Sequence, residues 1–211
     1  MAIKSMIHLN HNMMCAIDCE TTGRAPGYHE IIQLAIVPLD NFLEPRKDVP
    51  IFDIKMRPNH INRIDPDSMT VNKLELQTII DTGVDREKAF ELFEHYFKKL
   101  KLPIGKKIVP LGYNVAAFDL PFINDWMGNH AYREYIFGHS RDALLAACFL
   151  NDVADQHIEQ VPFANLKLRQ IARQLDIEVL EERVHDALYD AYLAAQVYKR
   201  LITHYLAGRV V

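Results

Sequence analysis

The most constraining feature of the sequence is a short apolar segment that ends in two carboxylates. Residues Met13 to Ile17 are apolar without interruption and are followed by Asp18-Cys19-Glu20. A continuous apolar run of this length predicts a strand that is buried on both faces. Side chains two apart on a strand lie on the same face, so Asp18 and Glu20 are expected side by side at the end of a central strand.

The rest of the chain predicts strands first and then strands alternating with helices. Glu30 to Leu39 and Ile51 to Arg57 are predicted to complete an antiparallel meander with the first strand. A further short strand is predicted over Ile108 to Gly112. Apolar residues at helical spacing predict helices over Arg86 to Leu100, Asn114 to Asn124, Asn165 to Leu175 and Asp186 to Leu206, with loops and short helices over Pro58 to Asp85. This order of elements predicts an α/β domain.

Length and composition favour one compact domain. The chain has 211 residues, of which 49% are hydrophobic and 25% are charged, as in ordinary globular proteins. We therefore expect residues 1–211 to form a single domain with a core over about residues 13–206. The net charge of −4 neither indicates nor excludes a nucleic-acid partner.

Cysteine usage and hydropathy bear on the cellular compartment. The three cysteines form no CxxC pair and their number is odd, which disfavours a disulfide framework and favours a reducing compartment. No segment approaches the roughly 18 apolar residues of a membrane helix. We expect a cytoplasmic protein without membrane association.

The two carboxylates after the first strand are expected to need a positively charged partner. Neither Asp18 nor Glu20 has a lysine or arginine next to it in the sequence, and burying unpaired charges is costly. A hard divalent cation such as Mg²⁺ or Mn²⁺, held by carboxylate oxygens and substrate phosphate, would resolve this. A strand end that emerges into solvent is the other interpretation, and the pair alone does not decide between them.

Two further acidic positions could join the first pair. Asp119 lies in an apolar stretch between Phe118 and Leu120, where it is either a site residue or the cap of a helix that continues through Pro121. His185 and Asp190 are five positions apart, which on a helix separates them by about 140°.

Both can face one site only if His185 precedes the helix and Asp190 lies in its first turns. Asp186 is then well placed as the N-cap. Taken alone, a histidine in a chain with ten of them is as well explained by a structural or surface role.

As a set, these residues resemble the motifs of the DnaQ-like, or DEDDh, 3′–5′ exonucleases. The family order is DxE with Thr-Thr-Gly, a (G/H)xNxxxFD-like segment and HxxxxD, here at Asp18 to Gly23, Gly112 to Asp119 and His185 to Asp190. The histidine marks the DEDDh branch, because the tyrosine branch has a tyrosine where this chain has Asp186. The resemblance covers roughly Met13 to Leu201 and is supported by weaker similarities at Arg141 to Leu145 and Asn165 to Ile177.

The resemblance implies a ribonuclease-H-like fold with a mixed central sheet, antiparallel in its first three strands and then parallel, flanked by helices. It also implies that Asp18, Glu20, Asp119 and Asp190 hold two Mg²⁺ or Mn²⁺ ions. His185 would be the general base that takes the proton of the attacking water, so that nucleoside 5′-monophosphates leave from a 3′ end.

Substrate contacts implied by the resemblance involve Thr21, Thr22, Asn114 and Phe118, with Phe118 supporting the pocket. Thr21 is equally explained as a turn residue. One departure concerns end recognition, because proofreading members often carry Ile-His-Gly-Ile where this chain has Ser68 to Leu74.

Similarity to the proofreading group favours a single-stranded 3′ end of DNA as substrate, and a polymerase or other replication protein as a possible partner. An exoribonuclease resembling ribonuclease T or oligoribonuclease is the first alternative, because the discriminating contact is to the 2′-hydroxyl. A catalytically inactive nucleic-acid-binding domain is the second alternative. It predicts binding without a metal-dependent product.

Overall fold

A mixed five-stranded sheet forms the centre of the protein in the computed structural model, which describes residues 9–72, 74–156 and 160–205. Its strands are β1 (Met13–Thr21), β2 (Ile31–Pro38), β3 (Phe52–Lys55), β4 (Ile108–Gly112) and β5 (Arg141–Asp142), in the spatial order β3-β2-β1-β4-β5. The first three strands pair antiparallel, whereas β4 and β5 pair parallel to β1 and to each other. The expected mixed sheet is therefore confirmed.

Helices cover both faces of the sheet. They are α1 (Pro66–Asn72), α2 (Leu76–Thr82), α3 (Arg86–Lys99), α4 (Asp119–Met127), α5 (Asn129–Tyr135), α6 (Ala143–Gln156), α7 (Leu168–Gln174) and α8 (Ala187–Arg200), with a 3₁₀ turn at Ile61–Arg63 and a π-helical turn at Leu201–Tyr205. The segment that was expected to carry loops and short helices, Pro58 to Asp85, does so. The helices α5 and α6 and the short β5 were not predicted.

One predicted helix boundary is wrong, and another lies outside the described residues. The helix expected to begin at Asn114 begins at Asp119, because Asn114 has a left-handed φ of 58° and its carbonyl accepts from Ala117 and Phe118 in a turn. The predicted end at Leu206 lies outside the described residues. Lys73, in the segment Ser68 to Leu74, is also outside them, and most of that segment forms α1.

The alternation of side chains along β1 divides the core into two layers. Met13, Cys15, Ile17 and Cys19 pack into a cluster with α3 and α4 that is rich in aromatic rings, including Phe93 and Trp126. Met14 and Ala16 pack on the opposite face, against α8. Asp18 and Glu20 continue the α8 series, so the carboxylates point to the α8 face and Cys19 is a core residue as predicted.

Small side chains bring α8 close to the sheet. Ala187, Ala191 and Ala195 stand one turn apart and are all buried against the face that contains Ala16 and Ala35. Alanine keeps the helix axis nearer to the strands than a larger side chain would, since close-packed interiors leave no room for extra atoms. This contact fixes where the first turn of α8 lies relative to the end of β1.

No helix in the described part of the chain is long and apolar enough to cross a lipid bilayer. The longest three, α3, α6 and α8, have 14 residues each, whereas a span needs about 20.

Overpacking the alanine contact should destabilise the protein. We expect Ala191→Leu to lower the free energy of unfolding by about 1–3 kcal/mol, because the added carbons have no space between α8 and the sheet. Urea denaturation measures this change. Gln196→Leu, at an exposed position of the same helix, should change it by less than about 0.5 kcal/mol, and equal effects of the two substitutions would contradict this account of the contact.

Candidate active site

The end of β1 carries the first two carboxylates of the site. Glu20 is only 7% exposed, and Asp18 is partly exposed. Glu20 stands opposite Gln33 of β2, and the pairing of the two strands becomes irregular directly after it, between Glu20 and Thr21. The carboxylates therefore lie where the regular sheet ends and the backbone begins to turn away.

Asp119, in the helix α4, is hydrogen-bonded to the same strand. It is the first residue of α4 and is 2% exposed, and its Oδ1 accepts a hydrogen bond from the backbone N–H of Cys19 at 2.9 Å. Phe118 occupies the N-cap position and makes no side-chain capping bond. The helix-cap interpretation of Asp119 is therefore wrong, since its carboxylate bonds to β1 between Asp18 and Glu20.

The start of α8 brings the third group to the site. Asp186 is the N-cap, with its Oδ1 accepting from the Tyr189 N–H at 3.0 Å, and Asp190 lies in the first turn. His185 precedes the cap with a left-handed φ of 70°, and its backbone N–H donates to Asp190 Oδ2 at 3.0 Å. The predicted arrangement of histidine, cap and aspartate is confirmed.

These three segments meet. A ring nitrogen of His185 and one carboxylate oxygen each of Glu20 and Asp190 lie within 4.8 Å of one another. Asp18, His185 and Asp190 also line a common groove of about 380 Å³. Since Asp119 bonds to the peptide between Asp18 and Glu20, the structure gathers all five predicted catalytic residues at one end of β1.

Burial and mutual repulsion raise the pKa values of the carboxyl groups. Burial is the main cause that raises the pKa of Glu20 to about 9, and the charges of Asp190 and Asp119 add to it. Burial also raises the pKa of Asp119 to about 7, against the opposing effect of its bonds with Cys19. The pKa of Asp18 is raised well above its usual range by burial and then by Asp119 and Glu20.

The donor set fits hard divalent cations. In the ranges that the structure describes, Asp18, Glu20 and Asp119 form no ion pair with a lysine or arginine. Oxygen-rich clusters of this kind suit Mg²⁺ or Mn²⁺, whose charge would offset the repulsion that raises the pKa values. Together with Asp190 the carboxylates therefore form a candidate metal centre, and the His185 ring lies beside it.

Of the residues predicted to contact substrate, Thr21 and Thr22 already make hydrogen bonds within the turn after β1. The Thr21 hydroxyl donates to the Gly23 carbonyl at 2.6 Å, and the Thr22 hydroxyl accepts from the Glu30 N–H at 2.9 Å. A side chain at Gly23 would clash with the His29 ring, so the Thr-Thr-Gly turn needs glycine there. Both threonine side chains thus hold the turn, whatever they contribute to substrate binding.

Asn114 and Phe118 lie in the connection between β4 and α4. Asn114 is exposed, and Phe118 is half-buried with its ring 5.3 Å from that of Phe122. Phe118 therefore packs against its neighbour in α4, and its predicted role in the substrate pocket stays a prediction.

Two polar residues that position the site were missed. Gln33 is 2% exposed, and its Nε2 donates to Asp53 while its Oε1 accepts from the Ala187 N–H at 3.4 Å, which ties the start of α8 to β2. Asp142 is 7% exposed and accepts from the N–H groups of Asn114 and Leu144, both at 2.9 Å. A single glutamine inside the apolar run of β2 was the available sequence signal for Gln33.

Comparison with known proteins identifies relatives of this chain. An exonuclease family model, RNase_T, matches residues 15–198. The chain is 23% identical over 192 residues to a PolC-type DNA polymerase III of Ureaplasma parvum serovar 3, and this alignment covers 91% of the chain but 12% of the polymerase.

Solved structures share the fold. E. coli exonuclease I in complex with a dT13 oligonucleotide superposes with a TM-score of 0.69 at 18% identity, over 93% of this chain and 43% of that one. Cell-death related nuclease 4 gives a TM-score of 0.64 at 21% identity, over 92% and 64% of the two chains. The chain thus spans less than two thirds of each of these proteins, and its fold is ribonuclease-H-like. With the family match over most of its length, the chain belongs to the DnaQ-like family of 3′–5′ exonucleases.

Proposed function

We propose that this protein removes nucleotides one at a time from the 3′ end of single-stranded DNA and releases nucleoside 5′-monophosphates. The observation that carries the proposal is the convergence of Asp18, Glu20, Asp119, His185 and Asp190 at the end of β1. Glu20 and Asp119 are buried and pair with no lysine or arginine in the described ranges, which is costly for stability and is therefore more readily explained by chemistry than by folding.

The relatives support DNA as the substrate. Exonuclease I of E. coli was solved with DNA oligonucleotides, and the relative in Ureaplasma parvum is a DNA polymerase. The match to a small part of that polymerase also supports a role beside a replicative polymerase.

In this proposal the four carboxylates hold two Mg²⁺ or Mn²⁺ ions. When bound, the ions would supply the positive charge that activates water and offsets the negative charge developing on the phosphate. Asp119 is held towards the other carboxylates by the Cys19 N–H, and Asp190 by the N–H of His185.

His185 is the general base in this scheme. Its ring nitrogen lies within 4.8 Å of oxygens of Glu20 and Asp190, so a water placed beside those oxygens is within reach of the ring. The left-handed backbone at His185, followed by the Asp186 cap, turns the ring towards the groove instead of along the outside of α8. Backbone strain of this kind is typical of functional residues.

Direct degradation assays test the proposed function. We expect 5′-labelled single-stranded DNA to shorten from its 3′ end with Mg²⁺ or Mn²⁺, and not with chelator, on a denaturing gel. RNA of matched sequence, run beside it, should shorten more slowly. Asp18→Asn should lose this activity, whereas Asp152→Asn, an exposed change on α6, should keep it. Tight binding of DNA without shortening would instead support the binding-domain alternative.

Replacing the histidine should separate activity from stability. We expect His185→Ala and His185→Gly each to lower kcat by roughly 10²–10⁴, as for loss of a general base. The glycine variant should be more stable than the alanine variant by about 1 kcal/mol, because glycine adopts a positive φ without strain. Single-turnover rates and thermal unfolding measure the two effects. His95→Ala, exposed on α3, is the control, and near-wild-type turnover of either His185 variant would exclude the base role.

The raised pKa values predict how the metal-free protein responds to pH. Because the folded pKa of Glu20, about 9, and that of Asp119, about 7, exceed the unfolded values, the folded state binds more protons in between. This stabilisation is complete at low pH and is lost as pH rises, so with chelator the Tm should fall between about pH 5 and 9.

Metal ions should reverse this loss. Since they bind the ionised carboxylates, Mn²⁺ should raise Tm most at the alkaline end of the range. Asp18→Asn should reduce both the pH dependence and the response to Mn²⁺, whereas Asp152→Asn should change neither. If adding Mn²⁺ left the Tm unchanged at every pH, the proposed metal centre would be wrong.

A further inference from the structure

The groove beside the carboxylates is also lined by two basic residues, which stand among apolar side chains. Asp18, His185 and Asp190 line one part of it, and Lys167 and Arg169 line another, with Tyr113 between strand β4 and the site. The two basic residues lie at the start of α7, which packs on α8. They therefore border the same space as the reacting groups without belonging to the motifs that define the family site.

Neither basic residue has a strong internal partner in the part of the chain that the structure describes. Within the described ranges, Lys167 is exposed and makes no ion pair. Arg169 lies 3.9 Å from Glu181, and the same Glu181 carboxylate bonds closely to Arg173. A pair at that distance and exposure contributes little, so Arg169 keeps donors for another anion.

The charge pattern indicates a polyanion that extends past the carboxylates. Lys167 and Arg169 do not neutralise Asp18, Glu20 or Asp119, because burial and neighbouring acids dominate the environment of those groups. A nucleic-acid strand carries successive phosphates, of which one would lie at the carboxylates with their ions and the next against basic side chains.

The direction of the strand follows from the proposed reaction. Removal of one nucleotide from a 3′-hydroxyl end leaves no phosphate on the 3′ side of the scissile one, so every further phosphate of the strand lies on its 5′ side. The groove is lined by Asp18, His185 and Asp190 together with Lys167 and Arg169. A phosphate that reaches the two basic residues while the scissile phosphate lies at the carboxylates is therefore on the 5′ side.

We propose that Lys167 and Arg169 bind the phosphate that precedes the scissile phosphate, on its 5′ side, and so set the minimum substrate length for efficient cleavage. This inference rests on the proposed exonuclease function. It assigns a specificity role to two residues that take no part in the chemical step. Their contribution must therefore depend on whether the substrate contains that preceding phosphate.

Substrate length provides the test. A dinucleotide with one internal phosphodiester and no 5′-phosphate lacks the preceding phosphate, whereas a trinucleotide contains it. We expect Lys167→Gln to raise KM for the trinucleotide roughly tenfold and to change KM for the dinucleotide far less. Replacing the preceding phosphodiester by a neutral methylphosphonate should weaken binding to the wild type and have little further effect on the variant. The dependence of log KM on log salt should lose a slope of about 1 in the variant.

Controls separate this inference from the proposed function. Arg169→Gln should act like Lys167→Gln, whereas Lys88→Gln on α3, where Lys88 pairs with Glu91, should affect neither substrate. Equal changes of KM for di- and trinucleotide, or no change for either, would overturn the assignment while leaving the exonuclease intact. Failure of the wild type to cleave any substrate would instead refute the proposed function. Unchanged thermal unfolding shows that each variant is folded.

Discussion

Repulsion among buried carboxylates is the interaction on which the rest of this structure depends. Glu20 and Asp119 are almost fully buried, Asp18 lies beside them, and the approach of these groups raises their pKa values. The fold must supply the free energy that holds them together, because no single contact in the site can offset it. The central position of β1, paired on both sides, is the main means by which it does so.

Three hydrogen bonds between distant parts of the chain position the segments that carry the acidic side chains. The Cys19 N–H bonds to Asp119 across 100 positions, the Ala187 N–H bonds to Gln33 across 154, and the Asn114 N–H bonds to Asp142 across 28. Each is a backbone donor at the edge of a regular element, where the pattern of the helix or strand leaves an N–H without its usual partner. The irregular ends of the elements are thus used to fix the geometry of the site.

Sequence patterns predicted the parts of the fold that local periodicity determines. The strand β1, the long helices α3 and α8, and the arrangement of His185, Asp186 and Asp190 follow from apolar spacing and capping chemistry. The helix α6 was missed because it begins with eight consecutive apolar residues, Ala143 to Leu150, which hide the helical period, and β5 was missed because it has only two residues. Asp142 and Gln33 were missed for a related reason, since their partners lie far away in the sequence. The helix α4 begins later than predicted because Asn114 has a left-handed backbone conformation, which the spacing of apolar residues does not indicate.

The alanine contact between α8 and the sheet has a consequence for how the protein can change over evolutionary time. On that face the distance between helix and strand is set by main-chain atoms and methyl groups, so a larger side chain there could not be accommodated without moving the helix. The other face is filled by large aromatic rings in many mutual contacts, where one bulky side chain can be exchanged for another of similar volume. Substitutions in the aromatic layer would therefore change the free energy of unfolding during evolution, while leaving the distance between Asp190 and the end of β1 in place.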